Sequence, residues 1–267
     1  MDRTPAVAGS FYAGTREELE RSVASCMEEA ERVPALGVVS PHAGYMYSGP
    51  VAGALFSRVE VPDLCVILAP LHRGFPSAHF SVWADGKWLM PTGDVPVDEE
   101  FSLKLLQSYP AAAADPGAHE AEHSAEVQVP FLQAVNPSVR IVPVVISSHD
   151  VDALREFGKA LAGIIRDTAG DVLVVASSDM THYESKESAE KKDRLAIDRV
   201  LALDEEGLFE VVARNHISMC GVAPTISMLA CCRELGAKDA ELVRYRTSGD
   251  VTGDFAEVVG YAGIVVR

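Results

Sequence analysis

Three histidines follow apolar runs in the same way. His42 lies in SPHAGYMYSG (residues 40–49) directly after LGVV (36–39), and His72 lies in LAPLHRGF (68–75) after CVI (65–67). His182 lies in SSDMTHY (177–183), just beyond VLVV (172–175). A buried strand that ends in a turn delivers its next side chains to the carboxyl edge of an open α/β sheet, where ligands bind. Imidazoles delivered there from distant parts of a chain point to a metal or acid–base site. Cys220, in MCG between two helical stretches, has an adjacent glycine that allows close approach to a ligand. Two imidazoles and one thiolate suit copper, zinc or iron and not magnesium or calcium. An open fourth position would make such a site reactive rather than structural.

Asp179 places a carboxylate near His182 on one turn. THYE (181–184) also fits a capping box with Thr181 as N-cap, which leaves His182 free to act as a general base near neutral pH. The segment EHSAE (122–126), with Glu122 and His123, reads equally as the source of a second acid–base or oxyanion-binding group and as the solvated start of a helix. His79, His119, His149 and His216 read as surface or core residues, and Cys26, Cys65, Cys231 and Cys232 as small buried hydrophobes. Ser40, Ser177 and Ser178 lack the G-x-S-x-G of a nucleophile elbow. No Rossmann or P-loop glycine pattern is present.

These residues need a scaffold of alternating strands and helices. Apolar runs at 36–39, 64–68, 140–146 and 171–177 read as buried parallel strands. Helices are expected at 15–32 with Thr15 as N-cap, 51–57, 98–108, 151–165, 186–203, 206–214 and 225–235. Asp85-Gly86 between 80–83 and 87–90 reads as a two-residue hairpin, which makes the sheet mixed. Residues 109–125 form a long, helix-poor connection, a kind that is often functional. Residues 5–14 are turn-rich and should cross the surface or cover a site. Strands at 241–245 and 257–266, joined by the polar segment 248–254, close the sheet. The expectation is a single domain over 1–267, three layers α/β/α with a mixed, mostly parallel sheet. Because successive strands are usually neighbours, the strands before His42 and His72 are expected side by side.

The net charge of −16 repels phosphate backbones and anionic membrane surfaces, so nucleic acid and membrane are excluded as partners. Five cysteines without CxxC spacing, and no signal peptide in residues 1–14, point to reduced thiols and a cytoplasmic location. No apolar run approaches the roughly 20 residues of a membrane helix.

Seven stretches, in order, carry a family resemblance: PAVAGSFYAG, PHAGYMYSGPVAGALF, LAPLHRGF, TGDVPVD, EHSAEVQVPFLQ, VVASSDMTHY and MCGVAP. Over these the sequence resembles the Memo-like proteins, known from archaea and bacteria to animals. The resemblance implies a fold like that of class III extradiol ring-cleaving dioxygenases, which are non-haem iron enzymes. It implies a metal site of His42, His72 and Cys220, with Asp179 and His182 in the acid–base position and His123 as a further pocket histidine. Prokaryotic members are grouped with an AMMECR-type protein and a radical-SAM protein (the AmmeMemoRadiSam group), which names two partners. The dioxygenases hold iron with two histidines and a carboxylate, so a thiolate here departs from them and puts ordinary ring cleavage in doubt.

Together these readings give a metal-dependent redox protein, dioxygenase-like, with iron(II) or copper ahead of zinc and a small-molecule or peptide ligand in the cleft. His182 would move protons, oriented by Asp179 and assisted by His123. Two alternatives stay open: a non-enzymatic binding or adaptor module using the same cleft, and a zinc hydrolase. The substrate, the oligomeric state and the role of the 248–254 segment are not fixed by sequence.

Overall fold

The computed structural model describes residues Met1–Arg267. In chain order the elements are β1 (Asp2–Arg3), α1 (Arg16–Cys26), β2 (Gly37–Ser40), α2 (Tyr45–Ser57), β3 (Leu64–Pro70), β4 (Phe80–Val82), β5 (Lys87–Trp88) and β6 (Val95–Pro96). They continue with α3 (Glu99–Ser108), β7 (Ala112–Ala114), α4 (Val129–Val135), β8 (Arg140–Ile146), α5 (Val151–Arg166), β9 (Val172–Ser177) and β10 (His182–Glu184). The last are α6 (Lys186–Leu201), α7 (Glu205–Arg214), α8 (Val222–Glu234), β11 (Ala240–Thr247), α9 (Gly249–Thr252) and β12 (Val258–Val266).

The main sheet has nine strands in the order β10-β12-β2-β9-β3-β8-β4-β7, with β11 along the free edge of β12. Its centre, β2-β9-β3-β8, is parallel. Every residue of β3 and β9 is buried, as expected of strands covered by helices on both faces. Alternate side chains divide the core in two. Val66, Leu68, Val174 and Ala176 face Leu154, Phe157 and Leu161 of α5 and Ile226 and Leu229 of α8. Cys65, Ile67, Leu173 and Val175 face Leu19 of α1, Leu55 and Phe56 of α2, and Phe131 of α4. The molecule is a three-layer α/β/α sandwich around a mixed, mostly parallel sheet.

Several local expectations give way to tertiary packing. β2 and β3 are not neighbours, because β9 lies between them. The Asp85-Gly86 turn exists, with Gly86 at φ +75°, but its flanks do not pair. β4 joins β8 and β7 in the main sheet, whereas β5 joins β1 and β6 in a separate three-stranded sheet. The antiparallel pairs of the main sheet are β4–β8 and those of β12 with β2, β10 and β11. Helix α1 stops at Cys26 rather than continuing to residue 32. There the chain turns to the end of α2, where the Glu28 amide donates to Ser57 Oγ and Val33 pairs with Val59. Thr181 is not an N-cap, since residues 182–184 pair with β12 and the cap of α6 is Ser185, which accepts from the Ser188 amide. By contrast Asp98 caps α3 and Asp150 caps α5 through side-chain hydrogen bonds. No helix is long and apolar enough to cross a membrane.

Candidate metal centre

The registers of the parallel strands bring distant residues level. Ser40 pairs with Ser177, and Leu68 with Ala176, so β2, β9 and β3 end along one edge. His42, Asp179 and His72 each lie two residues beyond the end of their strand. The alignment is direct enough that the His42 amide donates to Asp179 Oδ1 at 2.8 Å. His123 arrives from the connection between β7 and α4. His42, His72 and His123 each offer a nitrogen within 4.8 Å of the other two. Their ring centroids are 4.9–5.5 Å apart.

Cys220 comes from the α7–α8 loop, and its Sγ lies 3.2 Å from His42 Nε2. It accepts from the Asp179 amide at the same distance. Two donors at about 2.1 and 2.3 Å from one ion are separated by about 3.1–3.6 Å. The thiol and His42 are therefore spaced as ligands of a common metal, although Cys220 is not within the mutual spacing of all three imidazoles. Its position depends on Gly221, where a Cβ would sit 2.2 Å from the Ser177 carbonyl oxygen and close the gap between the loop and β9. Three imidazoles and a thiol, with no cluster of carboxylates, are a donor set for zinc, iron or copper.

Glu122 has a role that the sequence did not assign to it. It is 1% exposed and lies under the two outer imidazoles. Oε1 is 3.0 Å from His72 Nδ1 and 3.4 Å from His123 Nδ1. The carboxylate also accepts from the amides of His72, Arg73, His123 and Ser124 and from Ser124 Oγ. A carboxylate can only accept, so His72 carries its proton on Nδ1 and its Nε2 is the free donor, the arrangement of a carboxylate–histidine–metal triad. The only sequence signal was its place in EHSAE beside His123.

Burial opposes the ionised form of Glu122. The hydrogen bond and charge of His72, with the Ser124 and His72 amides, outweigh it and hold the carboxyl well below the usual range. Burial, with His72 and His123 nearby, depresses His42 strongly, and burial also lowers His123. Burial raises Asp179 to about 6, and burial followed by the Asp179 carboxylate pushes the Cys220 thiol well up. Thiolate formation thus needs a compensating cation, and metal binding would release the proton.

Asp179 and His182 share no hydrogen bond, although the charge of His182 is felt at the carboxyl. Asp179 turns to the His42 amide, while His182 is held by Ser218, whose carbonyl oxygen is 3.0 Å from Nδ1 and whose Oγ accepts from the backbone amide. His182 is half-buried, and its Nε2 makes no hydrogen bond within the protein. Of residues 5–14, Phe11 packs on the cluster, its ring edge-on to His123 at 4.7 Å, while His72 remains exposed. A surface hollow of about 700 Å³ lies at the other edge, lined by Leu36, Val61, Ile165 and Val172 among others, and contains no histidine or cysteine. The histidine cluster and Cys220 lie at the carboxyl edge.

His119 is buried away from the imidazole cluster. Its Nε2 is 2.9 Å from the Ser81 carbonyl oxygen, its Nδ1 has no partner, and burial lowers it to about 4. Between pH 6.5 and 4 the unfolded chain takes up this proton and the folded chain does not. Stability is therefore expected to fall with pH across that window, by at most about 3 kcal/mol from this group. Urea unfolding at pH 7 and pH 4.5 should show a smaller pH-dependent loss in His119→Asn than in the parent. An unchanged loss would remove His119 as a cause.

The chain matches a family model described as Memo-like protein over residues 3–265. It is 43% identical over 282 residues to a MEMO1 family protein of Methanopyrus kandleri, covering 100% of this chain and 99% of that protein. It is 40% identical over 275 residues to a MEMO1 family protein of Methanothermobacter thermautotrophicus, covering 98% and 99%. In structure it is similar to an uncharacterized protein of Escherichia coli K12, with a TM-score of 0.56 and 15% identity over 86% of this chain and 98% of that one, a likeness of fold alone. Matched by the family model over nearly its whole length and 43% identical to one of its members, this chain belongs to the Memo-like proteins.

Proposed function

We propose that this chain is a metal-dependent redox protein that holds iron or copper through His42, His72 and Cys220, with His123 as the third imidazole, and acts on a small molecule in the cleft. The observation that supports it best is the convergence of three imidazoles and a thiol on a wall already set by Glu122 and Asp179. A bound iron or copper ion would supply electron transfer toward dioxygen or an organic substrate. The protein's own residues do the rest. Phe11 keeps water from one side of His123, Asp179 fixes the backbone of His42, and His182 gives or takes a proton at Nε2 while Ser218 holds its other nitrogen.

One observation favours a second reading, a zinc hydrolase: the mutually close set consists of three histidines, a donor set that zinc also accepts for catalysis. Elemental analysis of protein purified without oxygen, beside Cys220→Ala, separates the two. Near-stoichiometric iron or copper in the parent, lost in the variant, is the expected result. Zinc retained by both would support hydrolysis. No metal in either, even after reconstitution, would end both readings and leave the cleft as a ligand pocket.

A further inference from the structure

We infer that Ser177, with its hydroxyl oriented by Ser124 and Gln128, is the positioning residue that fixes His42 as an Nε2 donor, and that Ser124 joins it to Glu122 in one network serving all three imidazoles. The tautomer follows from a count of protons. Ser177 Oγ has three polar neighbours: the Ser124 carbonyl oxygen at 2.7 Å, Gln128 Nε2 at 2.8 Å and His42 Nδ1 at 2.8 Å. A hydroxyl has one proton and two lone pairs. The carbonyl can only accept, so the proton goes to Ser124.

Both lone pairs of Ser177 then face donors. Gln128 presents its nitrogen, because the same atom lies 3.0 Å from the Pro41 carbonyl oxygen and 3.4 Å from that of Ser40. Turning the amide over would set oxygen against two carbonyls. The remaining lone pair of Ser177 must accept from His42, which places the imidazole proton on Nδ1. Nε2 is left with its lone pair on the side where Cys220 Sγ stands at 3.2 Å. Ser124, Gln128 and Ser177 are all fully buried, so no water competes for these bonds.

Ser124 closes the network. Its carbonyl receives the Ser177 proton, while its amide donates to Glu122 Oε1 at 2.9 Å and its hydroxyl lies 2.7 Å from the same oxygen. Glu122 in turn fixes the proton of His72 on Nδ1. Two rings from distant strands are thus given the same tautomer by groups that meet at one buried serine. The consequence for ligation rests on the metal reading above, but the tautomer does not.

The test is long-range ¹H–¹⁵N correlation on the metal-free protein, with His42 assigned by its loss in His42→Gln. The inference expects a protonated, pyrrole-type Nδ1 and an unprotonated, pyridine-type Nε2 in the parent. In Ser177→Ala that pattern should be lost or averaged between the two nitrogens, and Ser177→Thr, which retains the hydroxyl, should restore it. Zinc affinity, read by competition with a chromophoric chelator, should fall at least about 10-fold in Ser177→Ala. An Nε2-protonated His42 in the parent overturns the inference even if no variant folds, as does an unchanged pattern in Ser177→Ala. If the parent shows the expected pattern but binds no metal, the network stands and the metal reading falls.

Discussion

The Glu122→Ala substitution is expected to weaken transition-metal binding at least about 10-fold and to remove on the order of 4 kcal/mol of stability. Both effects come from one carboxylate. It accepts from His72 Nδ1 and from the amides of His72, Arg73, His123 and Ser124, as well as from Ser124 Oγ. His72 and Arg73 lie near solvent and can turn to water. The Ser124 hydroxyl can turn to the Pro70 carbonyl oxygen at 3.1 Å, but the amides of Ser124 and His123 lose their acceptor, and each stranded donor there costs about 1–3 kcal/mol. At about 2–4 °C per kcal/mol the midpoint of thermal unfolding should drop by about 10 °C. Glu122→Gln separates the two roles. It keeps the volume and one acceptor oxygen but turns an NH₂ toward amide donors, so metal affinity should fall while more of the fold is retained. Chelator competition beside thermal unfolding reads both quantities. Parent-like metal affinity in Glu122→Ala would show that the imidazoles orient themselves without it.

What was legible in the sequence follows from how local each cause is. His42 and His72 could be located because an apolar run ending in a turn has the same meaning whichever strands it joins. Cys220 stood out for a comparable reason, as a loop cysteine beside a glycine. The order of the strands was not legible. Neighbour pairing placed β2 beside β3, yet β9 enters between them, and nothing local to residues 36–70 encodes a strand more than a hundred residues later. The same limit explains Thr181. Its capping-box spacing is real, but pairing with β12 is the stronger partner for residues 182–184, and the cap moved to Ser185. Glu122 and Ser177 orient rings that only tertiary structure brings to them, so no spacing could assign their roles. Asp179 shows the converse. The carboxylate looked like the partner of His182 three residues on, but strand register placed it against His42 instead.

The other large effect is expected at the Arg3–Glu126 pair, one layer behind the imidazoles. Arg3 is 2% exposed and donates to Glu126 Oε2 at 2.7 Å, to the His119 carbonyl oxygen at 2.9 Å and to that of Glu122 at 2.6 Å. Its guanidinium also lies 4.2 Å from the centroid of the Trp88 ring. Glu126, fully buried, accepts in addition from the amides of Ala6 and Val7 and from the Tyr12 hydroxyl. Removing one partner of such a pair leaves an uncompensated charge in the interior and costs about 3–5 kcal/mol, more than the pair itself contributes over an apolar replacement. Arg3→Met and Glu126→Gln should each show a loss of that size in urea unfolding, and the double variant much less than their sum. Additive losses would mean that the two residues act independently. A consequence at the site follows from the same bonds. Arg3 holds the backbone of the 119–122 segment from which Glu122 reaches the imidazoles, and Glu126 holds residues 6–12, which seat Phe11 against His123. Both single variants should therefore bind metal more weakly than the parent, although neither residue touches it. Unchanged affinity in the two variants, measured where both remain folded, would show that Glu122 and Phe11 are held by their immediate neighbours alone.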